Sequence, residues 1–327
     1  MREFINRITR PCRKITDNII IATVLSLVIM VLGSILSGIM LNLTGFRTLL
    51  SNYLQNGNLE MFLSSYLEFI GIWIAVLLFT AVPKSNRPML KSFWYNRNGN
   101  NLKGILAGIL LGFGTNGFCV LMSWLRGNIK FSYYGFEPVI LLMFIAAIFI
   151  QSGAEELMDR YYLYEKLRRR YASPLVAILV NSLVFMLLHI PNPGFTAKAG
   201  SQIFLIGVIF SLLVYYYDSL WAAIWFHTSW NFTQNIIFGL PNSGIVSEYS
   251  IFKLEAVTAQ SGLFYDVKFG VEGSIGSSLV LLTLLIAIIL MNRNKPEKSD
   301  VWAQAEEKAA AKAVEAEANA PKHAAHD

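Results

Sequence analysis

The sequence has few charged residues and few cysteines for its length. Only 15% of its 327 residues are charged, whereas soluble domains carry about 25%. Its two cysteines, Cys12 and Cys119, are too few for a disulfide framework and lack metal-ligand spacing. We find no phosphate-binding glycine loop, no serine nucleophile elbow and no repeat of about 20–50 residues. These absences argue against a P-loop protein, an α/β-hydrolase, a repeat protein and a disulfide-stabilised domain.

Apolar residues in long runs dominate the chain instead. The hydrophobic fraction is 54% and the mean hydropathy is +0.48. The first run follows a basic N-terminus, is too long for the core of a signal peptide and lacks a small-residue cleavage site, so we interpret it as an uncleaved span. We predict an all-α fold, a polytopic membrane helix bundle with about eight transmembrane helices. The predicted spans are 19–43, 61–83, 102–125, 138–154, 174–190, 201–217, 219–239 and 277–292.

The distribution of lysine and arginine predicts the orientation of these spans. Of the basic residues in the segments between spans, 18 lie on the side that holds the N-terminus and 6 on the other. Because cytoplasmic loops carry the excess of Lys and Arg, we predict a multi-pass protein of the cell membrane with cytoplasmic N- and C-termini. The net charge of +6 is explained by these flanking residues, and we predict no nucleic-acid partner.

The composition changes near residue 300. We predict a transmembrane helical domain over 1–299, with its motif-bearing core at 139–240, and a cytoplasmic tail rich in Ala, Glu and Lys over 300–327. Such a tail is typical of a solvated, partly helical spacer. In the third span, Gly104, Gly108 and Gly112 are spaced four residues apart, which favours close packing against another helix.

Ionisable residues inside spans are costly and therefore indicate a functional site. They cluster here in three segments, 154–160, 185–189 and 227–231. Only four histidines occur in the chain, and the two outside the tail, His189 and His227, both lie in these clusters. A single buried histidine is often a packed core residue, but two histidines together with a carboxylate pair favour a shared site.

Helix geometry predicts that these groups meet. Glu156 precedes Arg160 by four residues, the favourable order for an intrahelical ion pair, and His227 shares a face with Asn231. In a hairpin that turns near Ala172, Glu155 and His189 lie at the same depth, about 25 Å from the turn. The next hairpin turns at 217–219 and places His227 and Asn231 about 13 and 19 Å from its own turn.

Two kinds of chemistry fit these side chains. A carboxylate and an imidazole that share one water can act as a general base, while a second imidazole and an amide can stabilise an oxyanion. The alternative is a Zn²⁺ site with Glu155, His189 and His227 as ligands and an open position for water. Both sets draw on the same side chains, so the sequence leaves the two open.

Three motifs carry a resemblance to a known family: Glu-Glu-x-x-x-Arg, Phe-x-x-x-His and His-x-x-x-Asn, which begin at Glu155, Phe185 and His227. In this order they resemble the motifs of the CAAX-protease and bacteriocin-processing family of intramembrane proteases, which includes the Ras-converting type of CAAX endopeptidase. The resemblance covers about 139–240 and implies an eight-helix bundle that hydrolyses peptide bonds within the bilayer.

The resemblance also implies roles for the motif residues. Glu155 activates water with help from His189, His227 and Asn231 are the oxyanion donors, and Glu156 and Arg160 form the supporting pair. No cofactor is required in this interpretation. Two residues depart from the family pattern. Asp159 stands where an apolar or aromatic residue is usual, and Tyr161 stands where glycine is usual.

We therefore predict an intramembrane endopeptidase whose catalytic residues are Glu155, His189, His227 and Asn231. Its expected partners are the lipid bilayer and a membrane-associated peptide or protein substrate. That substrate is a prenylated C-terminal peptide, a bacteriocin leader or a membrane-embedded signalling peptide. The alternatives are a non-catalytic immunity, scaffold or peptide-binding protein on the same fold, and a proton-coupled transporter.

Overall fold

The computed structural model describes residues 14–295 and 300–318, and these are predominantly helical. The α-helices are α1 Ile19–Leu43, α2 Phe46–Leu54, α3 Gly57–Leu67, α4 Ile70–Ala81, α5 Leu90–Phe93, α6 Leu102–Leu125, α7 Pro138–Glu156, α8 Tyr164–Arg170, α9 Pro174–Leu188, α10 Ala197–Tyr217, α11 Leu220–Asn231, α12 Ile275–Asn292 and α13 Val301–Ala318. π-helical segments span Leu157–Leu163 and Phe232–Ile237, and short 3₁₀ turns span Ile15–Asp17, Arg87–Met89 and Val271–Gly273. Strands β1 Phe131–Tyr133 and β2 Phe252–Leu254 pair antiparallel.

The long helices begin at residues suited to that position. The side chains of Asn18, Asn101 and Thr196 each accept a hydrogen bond from a backbone N–H in the first turn of α1, α6 and α10. Proline occupies the first position of α7 and α9, where its missing N–H costs nothing. Helix starts are thus encoded locally, as the predicted spans assumed.

Six helices among the described residues are long and apolar enough to cross a membrane. They are Ile19–Leu43, Gly57–Ala81, Leu102–Leu125, Pro138–Arg170, Ala197–Tyr217 and Ile275–Asn292, and each overlaps a predicted span. The predicted fifth span is the shorter apolar helix Pro174–Leu188. The predicted seventh is α11, which continues into the second π-helical segment. The fold class and the multi-pass membrane character are confirmed, whereas the count of eight and the orientation of the termini stay predictions.

The fourth predicted span is longer than the sequence indicated. Its helix continues from Pro138 through the first π-helical segment to Arg170, a run of 33 residues. The chain then turns at 171–173, and α9 begins at Pro174, which is the hairpin predicted near Ala172. The predicted depth of Glu155 assumed the rise per residue of an α-helix. Because a π-turn has more residues per turn, this rise is only approximate across the π-helical segment.

Helix α6 packs closely on α11 through the predicted glycine stripe. A Cβ atom at Gly112 would lie 2.9 Å from the Ser229 Cβ and 2.9 Å from the Trp230 backbone nitrogen, and one at Gly108 would lie 2.9 Å from the Phe226 nitrogen. The Ser229 hydroxyl donates to the Ile109 carbonyl across this interface, at 2.9 Å. The small residues therefore let α6 support the helix that carries His227.

Replacing Gly112 by leucine is expected to destabilise the fold by about 1–3 kcal/mol, because the new side chain overlaps the α11 backbone. Thermal melting in detergent measures this effect. Gly114→Leu is the matched control, because no atom lies within 4 Å of a Cβ built on Gly114 of the same helix. A loss of stability that is equal in the two variants would contradict the packing argument.

Buried ion pairs connect Asp17 and Asp300 to the last turns of the 138–170 helix. Asp17 accepts hydrogen bonds from Arg169 and forms an ion pair with Lys166 at 2.5 Å. Burial opposes the charge of Asp17, but the hydrogen bonds from Arg169 and Lys166 hold its pKa below the usual range. Arg168 pairs with Asp300 at 3.0 Å. Arg168 and Arg169 are therefore buried by protein, with carboxylate partners from distant parts of the chain.

The first turn of the tail helix α13 packs against the membrane domain. Trp302 is buried, its indole N–H donates to the Glu165 carbonyl at 2.9 Å, and the Arg169 guanidinium lies 4.5 Å from its ring centre. Residues 306–315 of the helix are exposed, as a spacer would be. The predicted boundary at 299/300 adjoins residues 296–299, which lie outside the described residues, as do the basic residues of 1–13 and the tail end 319–327.

Candidate active site

A cavity of about 420 Å³, here called the central cavity, lies between the motif-bearing helices. Glu155 on α7, His189 at the end of α9, and His227 and Asn231 on α11 all line its wall. The structure thus brings together the four side chains that the sequence singled out, although they come from three different helices. Their catalytic roles stay predictions.

Glu156 orients His227 from behind the cavity. Its carboxylate is fully buried, and the Oε1 atom accepts a hydrogen bond from Nδ1 of His227 at 2.9 Å. The same oxygen lies 3.3 Å from Nη1 of Arg160, which is the ion pair predicted from the i, i+4 spacing. Since an ionised carboxylate only accepts hydrogen bonds, the proton on Nδ1 belongs to His227, and Nε2 is the atom that faces the cavity.

Aromatic rings hold Arg160 in place. Its guanidinium lies 4.2 Å from the ring centre of Phe185 and 5.3 Å from that of Phe210. The Phe210 ring in turn stacks on the imidazole of His227, with centroids 5.4 Å apart. A cation over an aromatic face is stabilised electrostatically, and more strongly when it is desolvated. Phe185, the first residue of the second motif, therefore helps to fix the pair that orients His227.

Glu155 has one carboxylate oxygen engaged and one free. Oε1 accepts a hydrogen bond from the Gln151 side chain at 2.6 Å, whereas Oε2 is buried without a hydrogen-bond partner. Oε2 lies 3.8 Å from Nε2 of His227. This distance is too long for a direct hydrogen bond, but one water or substrate oxygen can contact both atoms.

His189 and Asn231 also present polar atoms to the cavity. Nδ1 of His189 lies 2.8 Å from the Phe185 carbonyl, which only accepts, so Nε2 of the neutral imidazole carries the lone pair. The side-chain nitrogen of Asn231 lies 3.3 Å from the Ser152 hydroxyl and 3.5 Å from the Gln151 oxygen. These contacts are long, so the amide keeps most of its capacity to donate to a bound group.

Two of the three motif-bearing helices, α7 and α11, change to π-helical geometry beside the site. One π-helical segment begins directly after Glu156 and the other directly after Asn231. π-bulges insert a residue into a helix and redirect its side chains, and they are frequent at functional sites. The change leaves Glu155 and Glu156 on the last α-helical turn, where one faces the cavity and the other faces Arg160.

Sequence reasoning missed several lining residues. Gln151 has a signal that could have revealed it, because it precedes Glu155 by four residues, and Gln202 is a polar residue at the start of an apolar span. Glu272 lies in the 240–275 segment and has no such pattern. Its carboxylate accepts hydrogen bonds from Trp230, Gln234 and the Ser243 backbone at 2.9–3.0 Å. Burial raises the pKa of Glu272, and these three donors oppose the rise.

The side chains proposed as zinc ligands are not gathered at metal-binding spacing. Among the described residues, no group of three or more His, Cys, Asp and Glu side chains is placed to hold a metal ion. Glu155 and His227 approach each other to 3.8 Å, and no ion pair within 4.0 Å joins either of these described residues to His189. The zinc alternative therefore depends on the chelator experiment described below.

Residues 137–233 match the family model described as "Type II CAAX prenyl endopeptidase Rce1-like". The matched segment contains all three motifs and the four side chains of the central cavity singled out above, and it covers under a third of the chain. The match confirms the resemblance to the CAAX-protease and bacteriocin-processing family. No curated protein matches the chain significantly.

Proposed function

We propose that this chain is an intramembrane endopeptidase of the CAAX-protease type, which hydrolyses a peptide bond of a membrane-associated substrate. One observation carries the proposal. A buried carboxylate, Glu156, holds Nδ1 of His227 at 2.9 Å, while Nε2 of the same ring faces the free oxygen of Glu155 at 3.8 Å across a cavity. A fixed imidazole opposite a carboxylate with a free oxygen, beside a space for substrate, supplies an oxyanion donor and a general base at one site.

Glu155 is the proposed general base. Its unpartnered Oε2 atom accepts a proton from a water molecule, and the oxygen of that water attacks the scissile carbonyl carbon. The lone pair on Nε2 of His189 accepts the second hydrogen bond of the water and so orients it. The proton held by Glu155 then passes to the leaving nitrogen, because the amine departs only after protonation.

His227 and Asn231 are the proposed oxyanion donors. In the proposed mechanism His227 donates its Nδ1–H to the Glu156 carboxylate and its Nε2–H to the developing negative charge, and the Glu156 carboxylate balances the charge of the ring in this form. The side-chain amide of Asn231, one helical turn further along α11, supplies a second donor. Donors that are fixed before the reaction stabilise the transition state without reorganising.

The proposed setting is the cell membrane, with both termini in the cytoplasm. Because apolar helices long enough to cross a membrane line the central cavity, we infer that it lies within the bilayer, which suits a substrate that is itself membrane-embedded or lipid-anchored. The proposed mechanism uses only side chains of this chain and requires no cofactor. The substrate class comprises prenylated C-terminal peptides and unprenylated membrane peptides, and the experiment below separates them.

We expect the purified protein, reconstituted in lipid vesicles, to cleave members of a panel of fluorogenic peptides, prepared with and without a prenyl group. Adding a strong zinc chelator is expected to leave the rate unchanged, because the proposed mechanism uses no metal. Loss of cleavage on chelation and recovery with Zn²⁺ would replace this mechanism with a metal-dependent one. If a folded wild-type protein cleaves no peptide, the peptide-binding alternative replaces the protease.

A further inference from the structure

Asp159, one of the two departures from the family pattern, is a buried carboxylate on the wall of the central cavity. Its exposed fraction is 0%, and neither carboxylate oxygen has a hydrogen-bond partner. Glu155, four residues earlier in the chain, lines the same cavity, so the two carboxylates share one wall. The proposed hydrolysis does not use Asp159.

The charges around Asp159 are not balanced. Arg160 is the neighbouring cation, and its Nη1 atom lies 3.7 Å from Asp159 Oδ2 but closer, at 3.3 Å, to Glu156 Oε1. One guanidinium thus serves two fully buried carboxylates, while Glu155 adds a third negative group beside them. An ionised carboxylate that is buried without a matching cation is strongly disfavoured, so the site is suited to receive a positive charge.

The composition of the cavity wall points to the same ligand. Among the described residues that line it, three are acidic, namely Glu155, Asp159 and Glu272, and none is lysine or arginine. Glu272 is already satisfied by its three donors, which leaves Asp159 and Glu155 to face a ligand. A wall without lysine or arginine, on which the Glu156 carboxylate already balances His227, is poorly suited to bind the free carboxylate at the C-terminus of a peptide.

Gln202 provides a second, independent sign of a missing polar ligand. This lining residue of α10 is 0% exposed, and neither its side-chain oxygen nor its nitrogen has a hydrogen-bond partner. Buried amides are almost always hydrogen-bonded, and an amide oxygen can accept from an ammonium or guanidinium N–H. Two buried polar side chains without hydrogen-bond partners therefore line the same cavity from two different helical segments.

We infer that Asp159 and Gln202 form a subsite of the central cavity that binds a basic side chain, lysine or arginine, of the substrate near the scissile bond. The inference rests on the proposed peptidase function and adds a substrate class to it. The Asp159 carboxylate pairs with the incoming cation, and the Gln202 oxygen accepts a further hydrogen bond from it. Cleavage then occurs within the peptide chain, beside the basic residue.

The experiment compares peptides that differ at one position near the scissile bond, which holds lysine, norleucine or glutamate. For the wild-type protein we expect kcat/KM for the best lysine peptide to exceed that of its norleucine counterpart by about tenfold or more, since a buried charge pair contributes at least that much. In Asp159→Asn we expect this ratio to approach one, mainly through a higher KM for the lysine peptide. Gln202→Met is expected to reduce the ratio in the same direction.

Glu165→Gln is the matched control, because Glu165 is a buried carboxylate of the same continuous helix that lines a different cavity. This variant is expected to keep the lysine preference. Equal cleavage of lysine and norleucine peptides by the wild type, or an unchanged ratio in Asp159→Asn, would overturn the subsite while leaving the peptidase intact. The same peptides are also compared with a free and with an acetylated amino terminus. If the wild type prefers the free amino terminus and shows no lysine effect, the side-chain subsite is overturned as well. Cleavage of no peptide by the wild type would instead overturn the proposed function.

Discussion

Glu155→Gln is expected to lower kcat for peptide cleavage by about 10²–10⁴-fold, because it removes the proposed general base. Glutamine has nearly the same shape as glutamate, and its side-chain oxygen can still accept the hydrogen bond that Gln151 donates to Oε1. The amide that replaces Oε2, however, cannot take a proton from water. The expected loss is therefore chemical and not structural.

Melting temperature and substrate binding separate these two causes. The Glu155→Gln protein is expected to melt close to the wild type and to retain peptide binding while it loses turnover. Glu137→Gln is the control, since Glu137 is an exposed carboxylate at the start of the same helix. Wild-type rates in Glu155→Gln would assign water activation to another group and contradict the mechanism.

Glu156→Gln is expected to lower both activity and stability. The amide removes the nearer of the two carboxylates that pair with Arg160, at 3.3 Å, while Asp159 at 3.7 Å keeps the guanidinium paired, so we expect a cost of about 1–3 kcal/mol. It also removes the negative charge that balances the proposed His227 imidazolium, which weakens the oxyanion donor. We expect kcat to fall about 10²–10⁴-fold, as when a carboxylate that orients a catalytic histidine is replaced by its amide.

Two further variants separate the structural part of this effect from the catalytic part. Glu68→Gln breaks an ion pair with Arg47 whose side chains are 43% and 40% exposed, so it is expected to cost less than about 1 kcal/mol. Glu156→Gln added to His227→Ala is expected to lower kcat little further, because the group through which Glu156 acts is then already absent. A full further loss of activity in this double variant would show that Glu156 does not act through His227.

Much of the fold is predictable from the sequence because the bilayer constrains each helix separately. A helix of about 20 apolar residues satisfies its own backbone hydrogen bonds, so run length alone locates a span. The predicted start of the first span at residue 19 and the restart at Pro174 agree with the helices observed. The helix that contains the predicted fourth span continues past residue 154 to Arg170, through residues that the protein itself buries.

The candidate site was predictable in its residue types but not in its pairings. Glu155, His189, His227 and Asn231 stand out because polar groups are costly inside spans. The 3.6-residue period predicts the Glu156–Arg160 pair, because both partners lie on one helix. It does not predict that Glu156 also holds His227, since that contact depends on how far α7 and α11 are rotated about their axes.

The sequence by itself therefore determined the membrane class, the approximate helix positions and the cluster of reactive side chains, because each depends on local composition and spacing. Only the tertiary structure decided which carboxylate orients His227, that Asp159 and Gln202 face the same cavity without partners, and that Trp302 packs against Glu165 and Arg169. These contacts join residues that are far apart in the chain. Their geometry is set by helix packing and by π-helical turns, which no periodic pattern in one segment encodes.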